Sequence, residues 1–225
     1  MMNLSKQTFQ FLKQLAQNNN RAWFTENKTT FKKQEAEVKA FFAAVHQQLA
    51  ETDNIESHKL MRIYRDVRFS KDKTPYKPRF AGSFKRATLQ LRGGYFINIE
   101  PGNSLVGGGF YGPNPDDLMR IRKEFEIDDS EIREIISAPK FTKLFGTLQG
   151  EEVKTAPRGF DKNHPAIDLI KKKQFYVMRS FTDAEVIAPQ FINEVITTFI
   201  ALRPFFDYMS DVLTTNLNGE SIIEE

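Results

Sequence analysis

Two glycine clusters, Arg92-Gly93-Gly94 and Gly107-Gly108-Gly109, flank a Pro101-Gly102-Asn103 turn within one short stretch of this chain. Between them Tyr95 to Glu100 alternates in the manner of a strand, and Ser104 to Phe110 follows the second turn. The stretch predicts antiparallel hairpins around residues 86–110. Register depends on the length of the first loop, because a one-residue slip exchanges the two faces of a strand. A three-residue loop at Arg92-Gly93-Gly94 pairs Leu91 with Tyr95, Leu89 with Ile97 and Ala87 with Ile99. It gathers one apolar face and sets Arg86 opposite Glu100. The triple glycine weakens a strand, so it marks a bulge or a close approach by another group.

Helical patterns flank these strands. Ser5 is placed to cap a helix carrying Phe9, Leu12 and Leu15. Asn18-Asn19-Asn20 ends it and opens a longer helix from Arg21, with Val38, Phe41, Val45 and Leu49 as its apolar stripe. Asn114-Pro115-Asp116-Asp117 reads as N-cap, first-turn proline and acidic first turn of a further helix. Short helices are expected from Asp129 or Ser130 through Ile136, over Pro139–Phe145 and over Ala166–Lys172. A minor hairpin is expected between Leu148 and Val153, and a strand over Phe175–Phe181. Phe191, Val195, Phe199 and Leu202 give a C-terminal helix that Pro204 restarts, with a loose tail after Thr215. The class is therefore α+β, a central antiparallel sheet packed by N- and C-terminal helices. No repeat or long linker divides it, so residues 1–225 are expected to form a single domain.

Composition narrows the setting. There is no cysteine, which excludes disulfide and thiolate chemistry and suits a reducing compartment. Polar residues interrupt every apolar run, so neither a signal peptide nor a membrane span is expected, and a cytoplasmic location follows. The net charge of +3 is unevenly spread. Lys59 to Arg92 holds eleven basic and two acidic residues, a local +9 against −6 for the remainder. Such an excess implies a positive face or pocket.

The centre of that excess reads Arg62-Ile-Tyr-Arg65-Asp66-Val-Arg68-Phe-Ser70-Lys71-Asp72-Lys73-Thr-Pro75-Tyr76-Lys77. Together with Asn18 to Phe24, Ile99-Glu100-Pro101-Gly102, Gly107 to Gly109, Arg120-Ile121-Arg122, Pro157-Arg158-Gly159 and His164-Pro165, it resembles the family catalogued as domain of unknown function 2461. The resemblance spans nearly the whole chain. It implies one domain and brings no established activity, cofactor or catalytic residue.

The residues themselves leave three readings open. In the first, Arg62, Arg65, Arg68, Lys71, Lys73 and Lys77 surround a small phosphate- or carboxylate-bearing ligand, Arg forks and Lys point charges supplying the field. Tyr76 adds a ring or hydroxyl, and Arg122 joins from elsewhere in the chain. Were chemistry performed there, Glu100 or His164 would move the proton. In the second, the same segment binds nucleic acid, with rings such as Tyr64 and Phe69 stacking on bases. In the third, Arg62, Asp66 and Arg68 form an ion-pair network that only organises the fold. Ser70-Lys71-Asp72-Lys73 fits S-x-x-K but lacks the companion motifs of serine acyl-enzymes. His46, His58 and His164 are far apart in sequence and without paired ligand spacing, so no metal centre is expected.

Overall fold

The hydroxyl of Ser5 accepts the amide of Thr8 at 3.4 Å and opens α1 (Lys6–Gln17). Phe9, Phe11, Leu12 and Leu15 are buried along it. Asn20 caps α2 (Arg21–Glu26), accepting the Trp23 amide at 3.0 Å. The long helix expected from Arg21 is interrupted at Asn27, ahead of α3 (Lys28–Leu49). Asn27 donates its side-chain amide to the carbonyl of Trp23 at 2.9 Å, a local bond that competes with the helical ladder.

The computed structural model describes residues 3–223. Its sheet is open, antiparallel and ordered β1-β2-β3-β4-β5. The strands are β1 (Ile55–Leu60), β2 (Phe80–Arg86), β3 (Gly94–Ile99), β4 (Ser104–Phe110) and β5 (Phe175–Phe181). Between β4 and β5 lie α4 (Pro115–Ile127), α5 (Ser130–Ser137), α6 (Pro139–Phe145) and α7 (Ile167–Ile170). The chain closes with α8 (Asp183–Val186), α9 (Phe191–Ala201) and α10 (Arg203–Thr214). The class is α+β, as the residue pattern indicated. Among the described residues no helix is long and apolar enough to cross a membrane.

Packing separates the chain into two compact units. The first comprises Met1–Phe84, Phe96–Val106 and Ser180–Thr197. Its core is a file of phenylalanines: Phe31 stacks on Phe80, Phe42 on Phe84 and Phe41 on Phe191, with centroids 6.2, 5.4 and 5.5 Å apart. Gly82 makes the second stack possible, since a Cβ there would sit 2.4 Å from the Phe42 ring and 2.5 Å from the Lys59 carbonyl. The second unit comprises Lys85–Tyr95, Gly107–Arg179 and Thr198–Glu225. There Tyr95 lies against Phe199 and Phe206 at 4.6 and 4.9 Å, and Phe110 meets Phe205 and Phe206 edge-on.

The first hairpin departs from the expected register. Strand β2 stops at Arg86, and residues 87–93 form a longer loop in which Thr88 adopts φ +68° and Leu89 is exposed. Arg86 does not face Glu100. Its guanidinium is sealed from solvent and donates to Asp207 Oδ1 at 2.9 Å, the Arg92 carbonyl at 3.0 Å and Ser210 Oγ at 3.3 Å. A buried guanidinium must find acceptors, and the loop carbonyl supplies one only if the chain turns wide. Burying Leu89 is the smaller gain. The hairpin expected between Leu148 and Val153 is also absent: Gln149 and Glu152 form bridges with Tyr176 and Lys172 instead. The tail after Thr215 turns back, with the Ile222 amide on the Thr214 carbonyl at 2.9 Å.

Candidate functional site

The basic segment belongs to the first unit and continues the β1–β2 hairpin outward. Met61 donates to the Ala81 carbonyl, Lys77 to that of Ile63 and Arg65 to that of Pro75, each at 2.8 Å. Tyr64 and Tyr76 bridge across the pair. Asn19 anchors this arm, and the Tyr76 ring stacks on Phe24 with centroids 4.0 Å apart. Tyr76 is buried, so its ring serves packing, and burial raises its hydroxyl pKa.

Several expected ligand cations already have partners. Arg68 forms a fork with Asp66, its Nε and Nη2 at 3.0 and 2.7 Å from the carboxylate, which lowers the Asp66 pKa. Arg65 lies 3.2 Å from Asp72, whose carboxylate also accepts from the Thr74 amide and hydroxyl. Lys73 donates to the Val67 carbonyl at 2.9 Å rather than to Ser70, so the geometry of a serine–lysine pair is not formed. Lys71 and Phe69 are exposed at the tip; Phe69 is 96% exposed, with the Arg68 guanidinium 6.0 Å from its centroid.

A different subset converges. Arg62, Lys77 and Arg79 border a narrow crevice together with Met61 and Ala81, too tight to admit a water molecule, so their cationic heads meet at its rim. Among the described residues no carboxylate forms an ion pair with any of the three cations. The Lys77 ammonium is part-buried, and its pKa is pushed down by desolvation first and then by Arg79, Arg62 and Arg65. The three like charges repel one another, and the nearest carboxylate influence on them is that of Asp66, which acts on Arg62 without forming an ion pair. Arg79 was counted in the charge of the segment but not singled out as a ligand residue. Its place just ahead of β2 brings it beside Arg62 and Lys77.

Behind Arg79 runs a polar chain. Its Nη1 donates to Asn98 Oδ1 at 3.3 Å, and Asn98 Nδ2 donates to Glu100 Oε2 at 3.1 Å and to the Asn103 carbonyl at 2.8 Å. Asn103 Nδ2 gives Glu100 Oε2 a second donor at 3.1 Å. Asn98 is only 1% exposed, so the relay is fixed in place. Glu100 borders a groove of about 470 Å³ with Lys13, Gln17, Pro78, Gly102 and Asp183. In that groove Lys13 and Asp183 pair at 2.9 Å, and Asp183 accepts the Gly102 amide at 2.7 Å.

Arg122 and His164 belong to the second unit. Arg122 is buried and spends its guanidinium on the carbonyls of Ile170 and Lys172, at 2.8 and 3.1 Å. Burial lowers its pKa. His164 accepts the Ala166 amide on Nδ1 at 3.1 Å, a turn-capping bond ahead of α7. Both have structural employment. The other two histidines, far apart in sequence, meet: His46 Nδ1 and His58 Nδ1 are 3.0 Å apart.

The Asn18–Phe24 turn, the basic arm and the Glu100-Pro101-Gly102 corner thus form one assembly, built from the segments that carried the family likeness. A family model described as a conserved hypothetical protein, DUF2461, matches residues 7–208. The chain belongs to the DUF2461 family. The match spans both units, and it places the Arg62–Arg79 cleft and the Glu100 relay inside the family's region. Searches of the curated proteins and of the solved structures gave no match for this DUF2461 protein.

Proposed function

We propose that this DUF2461 protein binds a small phosphate- or carboxylate-bearing ligand at the rim of the crevice formed by Arg62, Lys77 and Arg79. One observation carries the reading: a part-buried lysine is ringed by arginines and left without a carboxylate partner. Arg65, Arg68, Lys71 and Lys73 add long-range field from the arm, whereas Tyr76 shapes it and Arg122 takes no direct part. Glu100 is the group best placed to act as an acid or base toward a ligand reaching past Arg79. The chain works as a single domain in the cytoplasm, in keeping with its lack of cysteine.

A panel of inorganic phosphate, pyrophosphate, citrate and chloride in thermal unfolding tests this. Phosphate or carboxylate should raise the Tm of the wild type, and Lys77→Met should remove the response. No shift with any anion beyond the chloride control ends the proposal. A second reading draws on the exposed Phe69 beside Arg68: the arm as a nucleic-acid contact, with phosphate held by the cations and a base stacked on the ring. Oligonucleotide binding with a steep salt dependence would favour it. A purely architectural arm is the outcome if neither ligand binds.

A further inference from the structure

Two of the chain's three histidines are paired outside the basic cleft. His46 sits on α3 and His58 on the edge strand β1, elements that pack directly together in the first unit. Their ring centroids are 5.0 Å apart with planes inclined at 69°, and both rings reach solvent. The Phe84 ring, 5.9 Å from His58, backs the pair from the core side. The Nδ1–Nδ1 separation of 3.0 Å has two chemical meanings. One is a hydrogen bond between neutral rings, one nitrogen donating and the other accepting. The other is a shared cation.

Geometry discriminates among cations. Imidazole nitrogens bind zinc-class ions at about 2.0–2.1 Å, so two nitrogens 3.0 Å apart subtend about 90° at a common ion. That is the cis angle of square-planar or octahedral coordination, the geometry of Cu²⁺ and Ni²⁺. A tetrahedral ion needs the nitrogens at about 3.3–3.4 Å, within reach of a small ring rotation. Hard ions such as Mg²⁺ and Ca²⁺ prefer oxygen and are disfavoured here.

We propose that His46 and His58 form a two-imidazole site for a divalent late transition-metal ion. Among the described residues no group of three or more histidines, cysteines or carboxylates completes a metal cage. Water therefore fills the remaining positions. The ion is exchangeable, and affinity follows the Irving–Williams order, with Cu²⁺ above Ni²⁺ and Zn²⁺. The site draws its rigidity from a helix and a strand rather than from loops, which holds the two rings ready for a chelate.

Isothermal titration of the full chain with Ni²⁺ in a non-coordinating buffer tests it, beside His46→Gln, His58→Gln and His164→Gln. The wild type and His164→Gln should take up one equivalent with matching affinity, while His46→Gln and His58→Gln each lose at least tenfold. Undiminished affinity in either paired variant overturns the site, as does absence of heat from the wild type at millimolar Ni²⁺. Proton NMR of the wild type with substoichiometric Cu²⁺ makes the test independent of variant folding. Two of the three imidazole signal sets should broaden together, those of His46 and His58. Equal broadening of all three, or of His164 alone, counts against the pair.

Discussion

Asn19 holds both polar groups of the Tyr76 backbone: its Nδ2 donates to the Tyr76 carbonyl at 2.9 Å, and its Oδ1 accepts the Tyr76 amide at 3.1 Å. A side-chain amide reads one residue as a neighbouring strand would. This clamp joins the α1–α2 turn to the basic arm and sets where Lys77 emerges, one residue on. Asn19→Ala removes both bonds, and Asn19→Asp keeps an acceptor but loses the donor. Each net bond contributes about 0.5–1.5 kcal/mol, so Asn19→Ala should cost about 1–3 kcal/mol in urea unfolding. Asn19→Asp should fall between it and the wild type.

Lys77 stores unfavourable charge in the unliganded protein. Its pKa is depressed in the folded state by burial and by Arg79, Arg62 and Arg65, whereas in the unfolded chain it returns to its ordinary value of 10.5. A depressed lysine binds fewer protons folded than unfolded, so stability rises as pH climbs toward 10.5 and falls again below it. Lys77→Met should therefore be as stable as the wild type or more stable near neutral pH. The advantage should shrink as pH approaches 10.5, and the variant should show no response to phosphate. A variant less stable than the wild type at neutral pH would mean that Lys77 already has its counter-charge.

Arg86 illustrates how much a single buried charge can dictate. Its partners Asp207 and Ser210 both lie on α10, and its guanidinium also rests 5.4 Å from the Phe206 centroid. Arg86→Ala leaves a void and strips Ser210 and the Arg92 carbonyl of a donor, with an expected loss of about 2–5 kcal/mol from the cavity and the lost bonds. Asp207→Asn keeps an acceptor but leaves the sealed guanidinium without its carboxylate; because position 207 is half-exposed and water reaches it, the loss should be smaller than for Arg86→Ala. Equilibrium unfolding of the two variants side by side checks the asymmetry.

The same residue shows where a sequence stops being readable. Strand β5 and helix α6 fall at the expected bounds because their ends are punctuated, by Gln174 and Thr182 on one and by Pro139 and Gly146 on the other. Strand β1 carries four consecutive exposed residues, as an edge strand can, and so shows no alternation to detect. Strand β2 is buried on both faces and ends in a charged residue, which reads as loop until Asp207 is known to lie beside it. In the cleft, the richness of cations was plain from the text. Which of them are free was not, because Asp66 and Asp72 each choose one arginine by loop geometry. Nor does spacing reveal the meeting of His46 and His58, which depends on how α3 crosses β1.

Gly107 lies on β4 against the backbone of β5. A Cβ there would lie 2.0 Å from the Val177 carbonyl oxygen and 2.9 Å from the Met178 Cα, both backbone atoms that cannot step aside. Gly112, beyond the strand, has open space around its Cβ position and no positive φ. Gly107→Ala should prevent folding or cost more than about 4 kcal/mol, the range reserved for severe core lesions. Gly112→Ala should change stability by no more than about 0.5 kcal/mol, as expected at an unencumbered surface site. Soluble yield and thermal unfolding separate the two.

The cleft and the tip of the arm make opposite demands on substitution. A small anion held by Arg62, Lys77 and Arg79 never touches Phe69, whose ring points into solvent on the far side of the Tyr64–Tyr76 bridge in the sequence of the arm. Phe69→Ser combined with Arg68→Ala should then reduce phosphate stabilisation only slightly, by the loss of one distant charge, while Lys77→Met abolishes it. If the arm serves nucleic acid, the double change at the tip should weaken oligonucleotide binding, since stacking on one ring contributes about 1–3 kcal/mol. It should also flatten the dependence of log K on log salt by about one unit for the lost phosphate contact. Lys77→Met would then produce a similar flattening without loss of stacking, measurable by fluorescence anisotropy of a labelled single strand at several salt concentrations.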